Sequence, residues 1–151
     1  MRLGPRFDVT LQIGRSSIQP EVSNLSRNPI RVLCVDDDVN LRNALARFFS
    51  RQTGIEMVGA IDSASELSRA INEHRPHIVV MDLGMDGADP LTEMRNIAMS
   101  TNAPRFVILS GSCTPEVASR ATEMGASAFV DKSSQPSELL AVIRRVAGMI
   151  G

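Results

Sequence analysis

Five short apolar runs, each followed by a stretch of helical periodicity, constrain this chain more than any other feature of it. Ile30–Val35 is nearly continuous in Ile, Val, Leu and Cys, the composition of a strand covered on both faces. Asp38 can cap the helix that follows, whose apolar stripe is Leu41, Ala44, Leu45, Phe48 and Phe49. Gly54 ends that segment and Ile55–Ile61 supplies a second run. Ser63 with Glu66 has the spacing of a capping box ahead of Leu67, Ala70, Ile71 and His74, and Pro76 closes the helix. Residues 77–81 form the third run. Asp89-Pro90 then gives an N-cap and a first-turn proline for a helix with Leu91, Met94 and Ile97. Residues 105–109 are the fourth run, and Thr114-Pro115 opens a helix through Val117, Ala121 and Met124 that stops at Gly125. Residues 126–130 are the fifth, followed after Pro136 by Leu139, Val142, Ile143, Val146 and Ile150 on one helical face. Such alternation predicts an α/β fold, a parallel sheet with helices on both faces; the expected form is a flavodoxin-like doubly wound (βα)5 sandwich, whose strand order is 2-1-3-4-5.

A chain of 151 residues can enclose one such core without disulfide support. The predicted domain spans residues 30–150, and residues 1–29 read as an arm outside it, rich in Ser, Asn, Gln and Pro. Within the arm, Phe7, Val9, Leu11 and Ile13 alternate with Asp8, Thr10 and Gln12, which is either a chance pattern or an edge strand for a partner. The arm carries about +2 and the remainder about −3. Neither value suits a nucleic-acid binder, and five Phe without Trp or Tyr leave no stacking platform. Cys34 and Cys113 fall in no metal-ligand or redox spacing. No apolar run reaches the roughly 20 residues of a membrane span and no signal-peptide core is present, so the expected location is the cytoplasm.

Open parallel sheets build their sites outside the carboxyl ends of the strands. Those ends are Asp36-Asp37-Asp38, Asp82, Ser110 and Asp131-Lys132. With strands one and three adjacent, their carboxylates crowd into a single pocket. Crowding of that kind is relieved by a raised pKa or a bound divalent cation. Mg²⁺ suits such oxygens, retaining waters beside one or two carboxylates and a phosphoryl oxygen. Ser110 can donate a hydrogen bond to that oxygen, Lys132 can supply a point charge, and Gly111 keeps the approach open. The chain uses Arg 15 times and Lys once, and its one Lys falls at this strand end. Each residue alone has a bland reading: helix cap, turn residue or solvated surface. Their recurrence at successive strand ends is what points to a site.

The segments VLCVDDD, IVVMDLGMDGADP, FVILSGS and GASAFVDKSS resemble, in order and spacing, the signature segments of response-regulator receiver domains. The resemblance implies that Asp82 is the phosphoacceptor, served by a sensor histidine kinase or histidine phosphotransfer protein. It further implies that Asp37 ligates Mg²⁺ directly, Asp36 mainly through water, and Gly84 through its backbone carbonyl, beside Asp82 itself. Ser110 and Lys132 would bind phosphoryl oxygens, and Ser110 and Phe129 would act as the switch pair. Phosphorylation would then bias a protein-interaction surface around the fourth helix, fifth strand and fifth helix, with dimerisation through it as one outcome. Gly84 and Ser112 flank the path of a hydrolytic water and are expected to set the phosphate lifetime. The chain departs from the family pattern at Asp86, at Asp89-Pro90 and at Ser133, where family members often have Pro, Asp-Gly and Pro respectively. A cis bond to Ser133 would cost about 2.5–4 kcal/mol. The Lys-Ser-Ser sequence resembles a subgroup often fused to helix-turn-helix output domains.

Three alternatives stand beside this reading. A haloacid-dehalogenase-type phosphohydrolase would want a second acid at position 84, which is Gly. A thiol mechanism would pair Cys113 with His74 or His77, which sit at the opposite end of the third strand. A receiver-type module acting mainly by contact, or a receiver piece of a longer DNA-binding regulator, differs in output rather than in fold. The receiver reading makes the domain a phosphoacceptor rather than an enzyme, with its output partner unidentified.

Overall fold

The computed structural model describes residues 28–112 and 114–150. The alternating pattern at residues 7–13 and the thiol of Cys113 lie outside them. Strands β1 (Ile30–Val35), β2 (Ile55–Ile61), β3 (Ile78–Met81), β4 (Arg105–Ser110) and β5 (Ala126–Asp131) form one sheet in the order β2-β1-β3-β4-β5. Every pairing is parallel, as the predicted flavodoxin-like winding requires. Helices α1 (Val39–Ser50), α2 (Leu67–His74), α3 (Pro90–Ala98), α4 (Pro115–Glu123) and α5 (Pro136–Ala147) connect and cover the strands.

The pleat divides each strand between two cores. Val32, Cys34, Val80, Val107 and Val130 pack with Leu45 and Phe49 of α1 and Leu139, Ile143 and Val146 of α5. Leu33, Val35, Val79, Met81 and Ile108 pack on the other face with Leu67 and Ala70 of α2, Met94 of α3 and Ala121 of α4. Burial on both faces explains why the central strands β1, β3 and β4 read as apolar runs rather than as alternation, while the edge strands β2 and β5 are only partly buried.

The helix starts are chemically specified. Asp38 accepts from the Asn40 and Leu41 amides, Asp89 from Leu91, and Thr114 from Val117. The box expected at Ser63 and Glu66 does not form. Ser63 caps a short 3₁₀ turn, Ala64–Glu66, by accepting from the Ser65 amide, and α2 begins one turn later. A box closes instead at the start of α5, where the Glu138 side chain accepts from the Gln135 amide. That last helix is shorter than its periodicity suggested: it ends at Ala147, and Ile150 is 41% exposed. Ala44, placed on the apolar stripe of α1 by spacing, faces solvent.

Gly125 shows why β5 needs a glycine at its approach. Its φ is +118°, and a Cβ there would come within 2.8 Å of the Ala98 Cβ. The end of α3 thus packs closely against the residue that leads into β5, the strand that Lys132 follows.

Candidate functional site

Register brings the strand-end residues to one rim. Val35 pairs with Met81, so Asp36 and Asp82 follow side by side, and the Asp82 amide donates to the Val35 carbonyl at 2.9 Å. Ser110 pairs with Asp131, and the Lys132 amide donates to the Ser110 carbonyl at 3.0 Å. Lys132 therefore stands opposite the two acids across the carboxyl edge of the sheet.

The charged groups meet directly. Lys132 Nζ lies 2.9 Å from Asp36 Oδ2 and 3.2 Å from Asp82 Oδ2. Those two carboxylates are only 3% and 7% exposed, while the lysine side chain is 28% exposed and reaches in from solvent. Burial, the largest single influence, acts to lower the pKa of the ammonium. Its hydrogen bonds to Asp36 and Asp82, together with their charge, outweigh that effect and hold it above the ordinary value of 10.5. Lys132 thus keeps its positive charge at neutral pH.

One ammonium does not neutralise this site. Oxygens of Asp36, Asp37 and Asp82 lie within 4.8 Å of one another, leaving three carboxylates against the Lys132 ammonium and, at the Asp36 backbone, the Arg42 guanidinium. Asp36 Oδ1 accepts from the Asp38 amide at 2.8 Å, and Asp82 Oδ1 accepts from the Gly84 amide at 3.0 Å. Asp37 is exposed beside the two buried acids. An all-oxygen, acid-rich donor set of this kind suits a small hard dication.

A cavity of about 440 Å³ opens over Asp82, lined by Leu83, Gly84, Ser110, Gly111, Ser112 and Lys132 among others. Gly84 matters for access: a Cβ there would sit 3.6 Å from both Asp82 oxygens. Ser110 is 3% exposed, and its hydroxyl oxygen accepts from the Ser112 amide at 3.3 Å, leaving the O–H to donate elsewhere. Phe129 is half-buried against the core on the α3–α4 side and does not line the cavity. A second groove of about 390 Å³ follows β2 and α1, but Glu56 is its only titratable lining residue.

The turn after β5 is fixed by its own side chains. Asp131 Oδ1 accepts from the Ser133 amide at 2.8 Å and from Ser133 Oγ at 2.7 Å. The backbone hydrogen bond and then the hydroxyl one hold the Asp131 carboxyl below its usual range. All peptide bonds among the described residues are trans, including Lys132–Ser133. At the opposite end of β3, the exposed His77 is tied to β1, where its Nδ1 accepts from the Arg31 amide at 3.0 Å.

Sequence reasoning passed over Arg42. Its guanidinium donates to the Asp36 carbonyl at 2.6 Å, from one turn into α1. Arginine is so frequent here that composition gave no reason to single it out. The available signal was its position, one helical turn past the Asp38 cap.

Comparison with known proteins bears on the family and the fold. The profile of the response regulator receiver domain matches residues 32–144. The transcriptional regulatory protein LiaR of Bacillus subtilis is 31% identical over 115 residues, which are 76% of this chain and 54% of LiaR. A protein-glutamate methylesterase/protein-glutamine glutaminase of Myxococcus xanthus is 33% identical over 133 residues, 82% of this chain and 38% of that protein. The chain thus spans about half the length of the first relative and less of the second. Among solved structures, a two-component response regulator of the LuxR family from Aurantimonas superposes with a TM-score of 0.74 at 33% identity, covering 80% of this chain and 86% of that one. The response regulator domain of Thermotoga maritima CheB shares the fold with a TM-score of 0.75 at 23% identity, covering 82% and 100%. With the family profile spanning most of the ordered sheet and its acidic rim, the chain belongs to the response regulator receiver domain family.

Proposed function

We propose that this chain is a phosphoacceptor switch in which Asp82 receives a phosphoryl group from the phosphohistidine of a sensor kinase or phosphotransfer protein. The observation that carries the reading is the contact of Lys132 Nζ with both Asp36 and Asp82, at an open cavity that Asp82 and Lys132 line. A carboxylate nucleophile needs in-line access and neutralisation of oxygen charge more than it needs a base. One oxygen of Asp82 bonds to phosphorus as the P–N bond breaks, and a donor ring protonated on its other nitrogen leaves as neutral imidazole. Lys132 balances charge on the incoming oxygens, and Ser110 donates its hydroxyl to one of them. Gly84 and Gly111 leave the approach open.

The carboxylate excess supports a Mg²⁺ held by Asp37, Asp36, Asp82 and the Gly84 carbonyl, where it would supply the remaining positive charge. Ser110 and Phe129 form the switch, the first buried at the site and the second half-buried against the core on the α3–α4 side. Residues 30–150 constitute the switching unit and residues 1–29 an arm, working in the cytoplasm. No helix among the described residues is long and apolar enough to cross a membrane. The output partner is a separate protein or a domain of a longer chain. This chain makes no nucleic-acid contact itself, and dimerisation on phosphorylation is one form the output takes.

Acetyl phosphate labelling with and without Mg²⁺ tests the proposal. The expected result is one phosphoryl group per chain, dependent on Mg²⁺ and abolished in Asp82→Asn. Undiminished labelling of Asp82→Asn would sink it, and absence of labelling in the intact protein would favour a module that works by contact alone.

A further inference from the structure

We infer that Arg42 is a positioning residue for the metal-binding loop, acting on Asp37 through the backbone on either side of it. The inference rests on the Mg²⁺ reading above and deepens it. Asp37 lies exposed between two immobilised peptide units. The preceding unit is tied by its carbonyl, the Asp36 O, which accepts from Arg42 at 2.6 Å. The following unit is tied by its amide, the Asp38 N–H, which donates to Asp36 Oδ1 at 2.8 Å. Asp36 is itself anchored by its amide to the Ile61 carbonyl at 3.0 Å and by Oδ2 to Lys132 at 2.9 Å. Of these ties, the one made by Arg42 comes from the body of a helix.

That origin gives it a distinct role. α1 is fixed by Leu45 and Phe49 in the core, and its first turn is closed by Asp38 and by the Arg42 amide donating to the Asp38 carbonyl. Arg42 is half-buried and spans from this rigid element back to the loop. Releasing its hydrogen bond frees the peptide before Asp37 to rotate and swings its carboxylate relative to Asp36 and Asp82. Outer partners of this type typically change metal affinity by about 10–100-fold when removed.

Charge and position predict opposite outcomes, which makes the inference testable. A guanidinium near a dication site repels the dication, so loss of charge alone would tighten Mg²⁺ binding. Loss of positioning would weaken it. MgCl₂ alone, titrated calorimetrically into wild type, Arg42→Met and Arg42→Lys, separates the two without any phosphodonor. We expect Arg42→Met to bind Mg²⁺ about 10-fold more weakly. Arg42→Lys, which keeps a charge and a donor on a different reach, should lie between it and wild type. A purely structural role would lower the metal-free melting temperature while leaving the Mg²⁺ affinity unchanged, and that result overturns the inference, as does tighter binding by Arg42→Met. Should Arg42→Met not fold, Arg42→Lys decides alone, because its charge is retained and only the geometry of the bond differs. Absence of Mg²⁺ binding by wild type would overturn the metal reading itself and this inference with it.

Discussion

Neutralising Asp37 should stabilise the metal-free protein and destabilise the metal-loaded one relative to wild type. Oxygens of Asp36, Asp37 and Asp82 lie within 4.8 Å of one another. At that separation two unit charges repel by about 0.9 kcal/mol in water and about 3.5 kcal/mol at an effective dielectric of 20. Asp37 is exposed, so the lower figure is the better guide, and attraction to Lys132 offsets part of the repulsion from its two neighbours. Asp37→Asn should therefore gain about 1 kcal/mol without metal, a rise of roughly 4 °C in Tm for a domain of this size. With Mg²⁺ at a hundred times its wild-type Kd, wild type gains about 2.7 kcal/mol. A variant whose affinity is about 100-fold weaker gains only about 0.4 kcal/mol, so the order inverts. Thermal melts by circular dichroism in EDTA and in Mg²⁺, at low and at high salt, measure both halves. The EDTA advantage should shrink at 1 M salt, where screening is nearly complete beyond about 3 Å. An Asp37→Asn protein that melts at or below wild type in EDTA would refute the repulsion argument. Equal Mg²⁺ shifts in both proteins would remove Asp37 from the metal shell.

Three further outcomes follow from the same geometry. Lys132→Met should act in the opposite sense to Asp37→Asn, lowering metal-free stability by about 1–2 kcal/mol rather than the 3–5 of a fully buried pair, because the lysine is partly exposed; chemical denaturation in EDTA measures it, and an unchanged midpoint would contradict the pairing. Burial first, and the Asp36 charge second, push the Cys34 thiol from 9.0 to about 12. The unfolded chain then ionises before the folded one, so stability from this group is intact below about pH 9 and is lost as pH climbs toward 12. Lys132, also raised, loses its contribution above 10.5. Cys34→Ala should flatten the decline in stability between pH 9 and 11, and an unaltered slope would count against a buried neutral thiol. Gly125→Ala forces a side chain into a positive-φ position against Ala98 and should cost about 1–3 kcal/mol, read as a lower urea midpoint at constant m-value.

The sheet was legible in the sequence chiefly because its central strands β1, β3 and β4 are covered on both sides, which leaves an apolar run where a half-exposed strand leaves alternation. The rhythm of strands and helices gave a parallel sheet, while its order, 2-1-3-4-5, came from the flavodoxin-like arrangement rather than from any residue pattern. The acidic rim followed from counting which residue ends each run, since Asp36, Asp82, Ser110 and Lys132 all sit within a residue of a strand end. Local pattern failed where a competing interaction decided the outcome. Ser63 and Glu66 have capping-box spacing, yet Ser63 bonds Ser65 in a tighter 3₁₀ turn. Ile150 keeps the helical period of α5, yet the helix ends before it can reach the core. Arg42 was hidden for a different reason: its partner is a backbone carbonyl six residues back, and backbone acceptors have no signature in a sequence.

Charge explains why the site is built in two grades of rigidity. Asp36 and Asp82 are buried, share one ammonium and hold their second oxygens on backbone amides. Desolvating two carboxylates is costly, and this full set of partners is what offsets it. Asp37 is different, exposed and flanked by two hydrogen-bonded peptide units. A third carboxylate as buried as the other two would destabilise the metal-free fold, because Lys132 has already been shared between two acids. Kept at the solvent edge, Asp37 retains much of its hydration until a cation arrives, and its repulsion stays near 1 kcal/mol rather than several. Exposure thus limits the instability of the free state, while the peptide units on either side of Asp37 are held by hydrogen bonds, as the proposed positioning of its carboxylate for a dication requires. Moving that third charge inward should therefore strengthen cation binding only at the expense of metal-free stability.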